Sequence, residues 1–208
     1  MIYIPTTKNP KPTLNANAVT IIYAEPAALG LIGLAVAALV LGSADLGLTS
    51  GVFKSLMMPW VLFFGATAQL IAGLVEFKRN NIFGATVFST YAMTMYAIAI
   101  TLLITIFTDV KFDISHYAYG LIGILFFSLI ATVASLMTNK VLFSILIVVD
   151  LAVIFLIPHY LFEISPIPAG IFLILTSVLS FYAAAAVLLN TMAGKAVLPL
   201  GTPLWKQE

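Results

Sequence analysis

The sequence predicts an all-α integral membrane protein built as a bundle of six transmembrane helices. Three observations carry this. Of 208 residues, 62% are hydrophobic and only 8% charged, against roughly a quarter charged in soluble domains. A soluble globule of this size could not hide so much apolar surface. Charged residues also fall in clusters that leave six long gaps, and a helix needs about 20 residues to cross the hydrocarbon core. Barrel strands would be about ten residues long with alternating polarity, which the gaps do not show.

Each gap fits one span. Pro26–Ala44 offers 19 uncharged residues, Ser55–Val75 offers 21, and Asn80–Thr108 offers 29. Ile114–Asn139 offers 26, Val141–Phe162 offers 22 broken only by Asp150, and Ile164–Gly194 offers 31. None is long enough for two crossings. Residues 1–24 read as an N-terminal tail, 25–194 as the transmembrane domain, and 195–208 as a C-terminal tail. The stretch Met1–Thr20 is polar, with Lys8 and Lys11, and lacks the apolar core of a signal peptide.

Basic residues set the expected orientation. Lys8, Lys11, Lys78, Arg79, Lys140, Lys195 and Lys206 fall on one side, and only Lys54 and Lys111 on the other. The positive-inside rule then puts both termini in the cytoplasm of a plasma-membrane protein. Asp45, Asp109, Asp113 and Glu163 fall outside. Short loops leave no room for a soluble domain. Small residues such as Gly30, Gly33, Gly65, Gly73 and Ala183–Ala186 permit close helix approach in lipid.

Composition also excludes functions. A net charge of +1 gives no reason to expect a nucleic-acid partner. With no Cys and two His, neither a transition-metal centre nor a thiol nucleophile is expected. No phosphate-cradling loop or nucleophile motif is present, so neither an enzyme nor a cofactor is expected. Movement of a small solute across the bilayer is the expected function. A channel for a small anion or neutral solute, and a non-transporting sensor or assembly subunit, are the alternatives.

Polar groups within spans are the candidate functional residues. Asp150 lies nine residues past Val141, about 13 Å deep, with no basic residue in any span to pair with it. It is either a proton site or a neutral acid bonded between helices. Gln69, Ser89, Thr90, Tyr91 and Asn190 either line an aqueous path or bond to neighbouring helices. His159, after Pro158, is expected at the outer interface, and His116 in an outer loop.

Three stretches go beyond composition. Glu25-Pro26-Ala27-Ala28-Leu29-Gly30-Leu31 opens the first span. Gln69-Leu70-Ile71-Ala72-Gly73-Leu74-Val75-Glu76-Phe77-Lys78-Arg79-Asn80-Asn81-Ile82-Phe83-Gly84-Ala85-Thr86 runs on to Ser89-Thr90-Tyr91, and Val197-Leu198-Pro199-Leu200-Gly201 lies near the C-terminus. Together they resemble the acetate uptake transporter family, also called succinate–acetate permeases, over essentially the whole chain. The family's opening Asn-Pro-x-Pro-x-Gly is departed from at Glu25 and Ala28.

The resemblance implies a homo-hexamer of six-helix protomers, each with its own pore, carrying acetate and possibly succinate. It implies an entrance at Glu25, Pro26, Leu29 and Gly30, and a hydrophobic constriction at positions matching Leu34, Tyr91 and Val149. Spacing agrees on depth: the three lie eight residues past Pro26, Phe83 and Val141 respectively, hence all about 12 Å in. Proton-coupled uptake, with Asp150 as proton carrier and Tyr91 as hydroxyl donor to the carboxylate, is the expected mechanism.

Overall fold

Apolar runs with no internal breaker become helices, because lipid leaves backbone N–H and C=O groups no partner but each other. A computed structural model describes residues 23–49, 56–109 and 113–205, and six helices long and apolar enough to span a membrane lie within them. They are α1 (Ala27–Asp45), α2 (Met57–Lys78), α3 (Ile82–Phe107), α4 (Ser115–Ser135), α5 (Lys140–Phe162) and α6 (Ile167–Ala193). Each falls within a few residues of its charge-bounded gap. The expectations for residues 1–22, Lys54, Lys111 and Lys206 lie outside the described residues.

Helix ends are set by local chemistry. Asn81 caps α3 by accepting from Gly84 N at 3.2 Å, and Asn139 caps α5 by accepting from Leu142 N at 3.0 Å. Such caps satisfy amides that the first turn leaves unpaired. Glu25 Oε1 takes the Ala27 N–H at 3.2 Å, with Pro26 in the α1 cap position. Gly194 ends α6 at φ 63°, a left-handed conformation that costs glycine little. His159 sits near the end of α5, its Nδ1 2.8 Å from the Ile164 carbonyl oxygen.

The helices form a closed ring in chain order. α1 packs most extensively on α6, α2 on α3, and α4 on α5, with α1–α2 and α5–α6 completing the ring. The α3–α4 seam is the sparsest of the neighbouring contacts. Tight seams depend on small residues. A Cβ on Gly33 would collide with the Phe64 carbonyl of α2, and one on Gly73 would lie 3.0 Å from the Ser89 amide of α3. The ring's outside is apolar, with Phe63, Phe107, Phe126 and Ile130 exposed, as lipid requires.

α2 is not uniform. Val61–Ala68 is π-helical between α-helical ends. Inserted wide turns of this kind recur at functional sites. Here the wide turn ends at Gln69, which the ring interior buries completely.

Residues 23–26 and 195–205 meet at one face of the bundle, called the terminal face below. Glu25 and Arg79 pair there at 2.6 Å, and Gly201 lies against the Lys140 side chain. Residues 195–205 are docked rather than extended away. Leu200 O accepts from Val141 N at 3.2 Å, and Leu136 O accepts from Leu204 N and Trp205 N at 2.9 Å.

Candidate functional site

The ring encloses two chambers. One of about 90 Å³ opens toward the terminal face and is lined by Ala27, Leu31, Gln69, Glu76, Asn139 and Leu200 among others. One of about 280 Å³ opens toward the opposite face, reaching Asp45, Tyr117, His159 and Tyr160. Among the described residues, Leu34 and Tyr91 are the only ones that line both. Val149 lines the opposite chamber alone. Leu34, Tyr91 and Val149 share one buried apolar cluster, at 6%, 4% and 8% exposure.

The helices place this wall by simple geometry. α1, α3 and α5 all start at the terminal face, so residues at equal distance from their starts reach one depth. Tyr91 is held from the side by the edge of Phe127, with ring centroids 5.7 Å apart. Its hydroxyl lies 2.7 Å from Ser128 Oγ of α4, a contact that crosses the sparse α3–α4 seam.

Ser128 continues inward. Its hydroxyl donates to Asp150 Oδ1 of α5, and Thr132 Oγ1 donates to Asp150 Oδ2 at 2.7 Å. Asp150 is 5% exposed and lines neither chamber. A serine hydroxyl has one proton. Because Ser128 gives it to Asp150, the Tyr91 hydroxyl donates to Ser128. Tyr91 therefore turns lone pairs, not its proton, toward the chambers while Asp150 is ionised. Tyr91 is thus a donor to a carboxylate only in the state where Asp150 carries a proton and the two hydroxyls turn round.

The other sequence candidates separate. Gln69 lines the terminal chamber, with Nε2 donating to the Gly65 carbonyl at 2.6 Å. Ser89 and Thr90 line neither chamber: Ser89 packs against Gly73, and the Thr90 carbonyl accepts from Thr94 Oγ1 at 3.0 Å. Asn190 is committed to the C-terminal segment, bonding Leu198 O at 2.8 Å and accepting from Val197 N and Leu198 N at 2.6 and 2.9 Å.

At the entrance, Glu25 is engaged by Arg79, Pro26 is buried, Leu29 is 41% exposed on the bundle exterior, and Gly30 packs on the Phe88 ring. The terminal chamber is lined instead by their neighbours Ala27 and Leu31, with Asn81, Asn139 and Leu200. Ser128, Thr132 and Glu76 carry chemistry that sequence reasoning passed over. The four-residue spacing of Ser128 and Thr132, one face of one helix turn, was the signal available. No group of His, Asp and Glu suited to a metal occurs among the described residues.

Comparison with known proteins agrees with the architecture. The chain is 27% identical over 189 residues to the succinate-acetate/proton symporter SatP of Escherichia coli K12, covering 86% of this chain and 95% of that protein. It is 34% identical over 80 residues to acetate permease A of Emericella nidulans, covering 38% of this chain and 27% of that one. The solved structure of the bacterial acetate channel SatP superposes with a TM-score of 0.79 at 24% identity, covering 86% of this chain and 100% of that one, and so shares the fold. The sequence profile of the GPR1/FUN34/yaaH family matches residues 7–201, and the chain belongs to that family.

Proposed function

We propose that this protein carries small monocarboxylates such as acetate, together with a proton, across the plasma membrane. The observation that carries the reading is the pair of opposed chambers that share Leu34 and Tyr91 as a common wall. Among the described residues, neither chamber is lined by Lys or Arg, which suits the weak anion binding a conduit requires. The likeness to the symporter and to the permease supports the choice of substrate. Lys78, Arg79, Lys140 and Lys195 share the terminal face, which supports a cytoplasmic assignment for it. Each protomer contains its own path, including within an expected homo-hexamer.

The coupling follows from the Tyr91–Ser128–Asp150 chain. With Asp150 ionised, Tyr91 presents an acceptor and suits the O–H of a protonated acid. With Asp150 protonated, the chain reverses: Asp150 donates to Ser128, Ser128 to Tyr91, and Tyr91 offers its proton to a carboxylate. The charge on Asp150 thus sets which form of the solute the neck favours. Crossing with a proton avoids the cost of moving an anion against a negative-inside potential, about 2.3 kcal/mol per 100 mV. Leu34 and Val149 keep the neck dry. Succinate, as a larger acid, tests the width of that neck.

A channel-like passage of the same solutes is the second reading, favoured by the absence of a fixed cation along either chamber. Labelled-acetate uptake into proteoliposomes, with and without an imposed pH gradient, tests the proposal. Accumulation above equilibrium only with the gradient supports symport; equilibration that ignores it supports the channel. Uptake unchanged in Tyr91→Ala would remove the neck from its place.

A further inference from the structure

Glu76 and Gln69 are buried side chains of the terminal chamber that the neck does not use. Glu76 is 2% exposed and Gln69 is not exposed at all. Each keeps one acceptor without a partner among the described residues, Glu76 Oε2 and Gln69 Oε1. The Gln69 orientation is fixed, because its Nε2 donates to the Gly65 carbonyl. Asn81 hydrogen-bonds the Glu76 carboxyl. The missing side chain of Gly84 makes that room, since a Cβ there would lie 2.9 Å from both Asn81 Nδ2 and Glu76 Oε1.

Buried unpaired acceptors are costly, and two in one chamber specify its ligand. An incoming carboxylate would meet oxygen lone pairs and be repelled. A protonated acid brings the donor they lack. The two groups are seven residues apart on α2, hence on one helix face and about 10 Å apart along it. One small acid meets them in turn rather than together. Gln69 lies beside Gly33, next to the neck residue Leu34. Glu76 lies at the mouth, bonded to the exposed Asn81.

We infer that Gln69 and Glu76 form an unloading track for the neutral acid, with Glu76 as the group that takes its proton. This rests on the proposed carboxylate transport. Gln69 Oε1 accepts the acid O–H as the solute clears the neck. At the mouth the acid O–H bond breaks, an O–H bond forms at Glu76 Oε2, and the carboxylate leaves. The proton then passes from Glu76 to water beside Asn81, which restores the carboxylate form. The charged groups whose fields reach Glu76 are Glu25 of the chain before α1 and Arg79 at the end of α2. They hold each other at 2.6 Å, which leaves Glu76 without a dedicated counter-charge. Lys140, at the start of α5, lies against Gly201.

The test uses the full chain in proteoliposomes with two readouts. Glu76→Gln should lower pH-driven acetate accumulation by a larger factor than it lowers acetate exchange at equal pH. Glu76→Asp should recover part of the accumulation. Infrared difference spectra on adding ¹³C-acetate to wild type should show a new protonated side-chain carboxyl, separated from the ligand band by the isotope. That signal should vanish in Glu76→Gln and persist in Asp150→Asn. Full accumulation in Glu76→Gln, or an unchanged signal, overturns the inference. Equal loss of exchange and accumulation in both Glu76 variants also overturns it and leaves Glu76 a structural residue. If wild type moves no acetate in either format, the transport reading itself fails.

Discussion

Tyr91 reaches Asp150 through a single intervening side chain, Ser128. Three helices meet in that chain: α3 supplies Tyr91, α4 supplies Ser128 and α5 supplies Asp150. An acid that lines neither chamber is thereby hydrogen-bonded, through one hydroxyl, to a residue that lines both. The same bond bridges the α3–α4 seam, where little else holds the two helices together. Under the proposed coupling, proton binding at Asp150 and the geometry of this seam are linked through one hydroxyl.

The link gives the first prediction. Asp150→Asn keeps one acceptor oxygen, for Ser128 or Thr132 but not both, and turns an NH2 donor to the other hydroxyl; it cannot take up a proton. Acetate exchange is expected near the wild-type rate, while accumulation driven by a pH gradient is lost. Ser128→Ala cuts the chain and leaves Asp150 short of a donor, at a cost of about 1–3 kcal/mol. It should lose coupling as well and unfold at lower temperature. Proteoliposome uptake read beside thermal unfolding in detergent separates the two variants. Full coupling in Asp150→Asn removes Asp150 from the mechanism.

Neck width gives the second. We expect a neck with room, because Leu34 is smaller than the aromatic side chain that the family resemblance implies at this position. Leu34→Phe and Val149→Phe should each narrow it. One or two methylene equivalents of steric discrimination correspond to about tenfold or more in rate. Succinate uptake should fall by about that factor relative to acetate in competition assays. Equal losses for both acids would remove size selection from the neck.

Glu25 and Arg79 give the third. Their side chains are 29% and 31% exposed, and pairs this open contribute about 0–1 kcal/mol. Glu25→Gln should therefore leave the unfolding temperature nearly unchanged. It should also release Arg79 as a positive charge beside the terminal chamber. Carboxylate entry from that face, measured as initial efflux rate, should rise at low ionic strength. The gain should fade as salt is added, because exposed charges are screened over about 10 Å at 0.1 M. A salt-independent change would mean that the pair acts by shaping the mouth.

How much of this was legible in the sequence follows from the physics of each feature. The six spans were, because lipid forbids charge within the hydrocarbon and every Asp, Glu, Lys or Arg but Asp150 marks a boundary. The depth shared by Leu34, Tyr91 and Val149 was, because helix rise is constant. Which face each polar residue turns inward was not. Spans apolar on all sides carry no amphipathic stripe, so Ser89, Thr90 and Asn190 gave no sign that they avoid the chambers. Ser128 and Thr132 drew no notice because a hydroxyl in a span is ordinary until its partner is known. In the sequence Glu76 is simply the first charge after an apolar run, yet packing of Gly84 and Asn81 over it buries the carboxyl. The π-helical stretch of α2 has no composition signal at all.

The C-terminal segment gives the last prediction. Asn190 holds it by three hydrogen bonds, two to backbone N–H groups and one to a carbonyl. Tyr182 adds one more, its hydroxyl 2.7 Å from Pro199 O. The held segment puts Leu200 in the wall of the terminal chamber, so its docking is part of the mouth. Asn190→Ala leaves three backbone groups to find water, and is expected to weaken docking by about 1–3 kcal/mol. Tyr182→Phe removes a single exposed bond and should cost about 1 kcal/mol or less. Hydrogen exchange at residues 197–205 should therefore rise strongly in the first variant and little in the second. Trp60→Phe leaves Trp205 as the only indole of the chain, and its emission should shift to the red when the segment detaches. Release with no change in acetate efflux would make the segment a brace for α5 and α6; faster efflux would make Leu200 a barrier at the mouth.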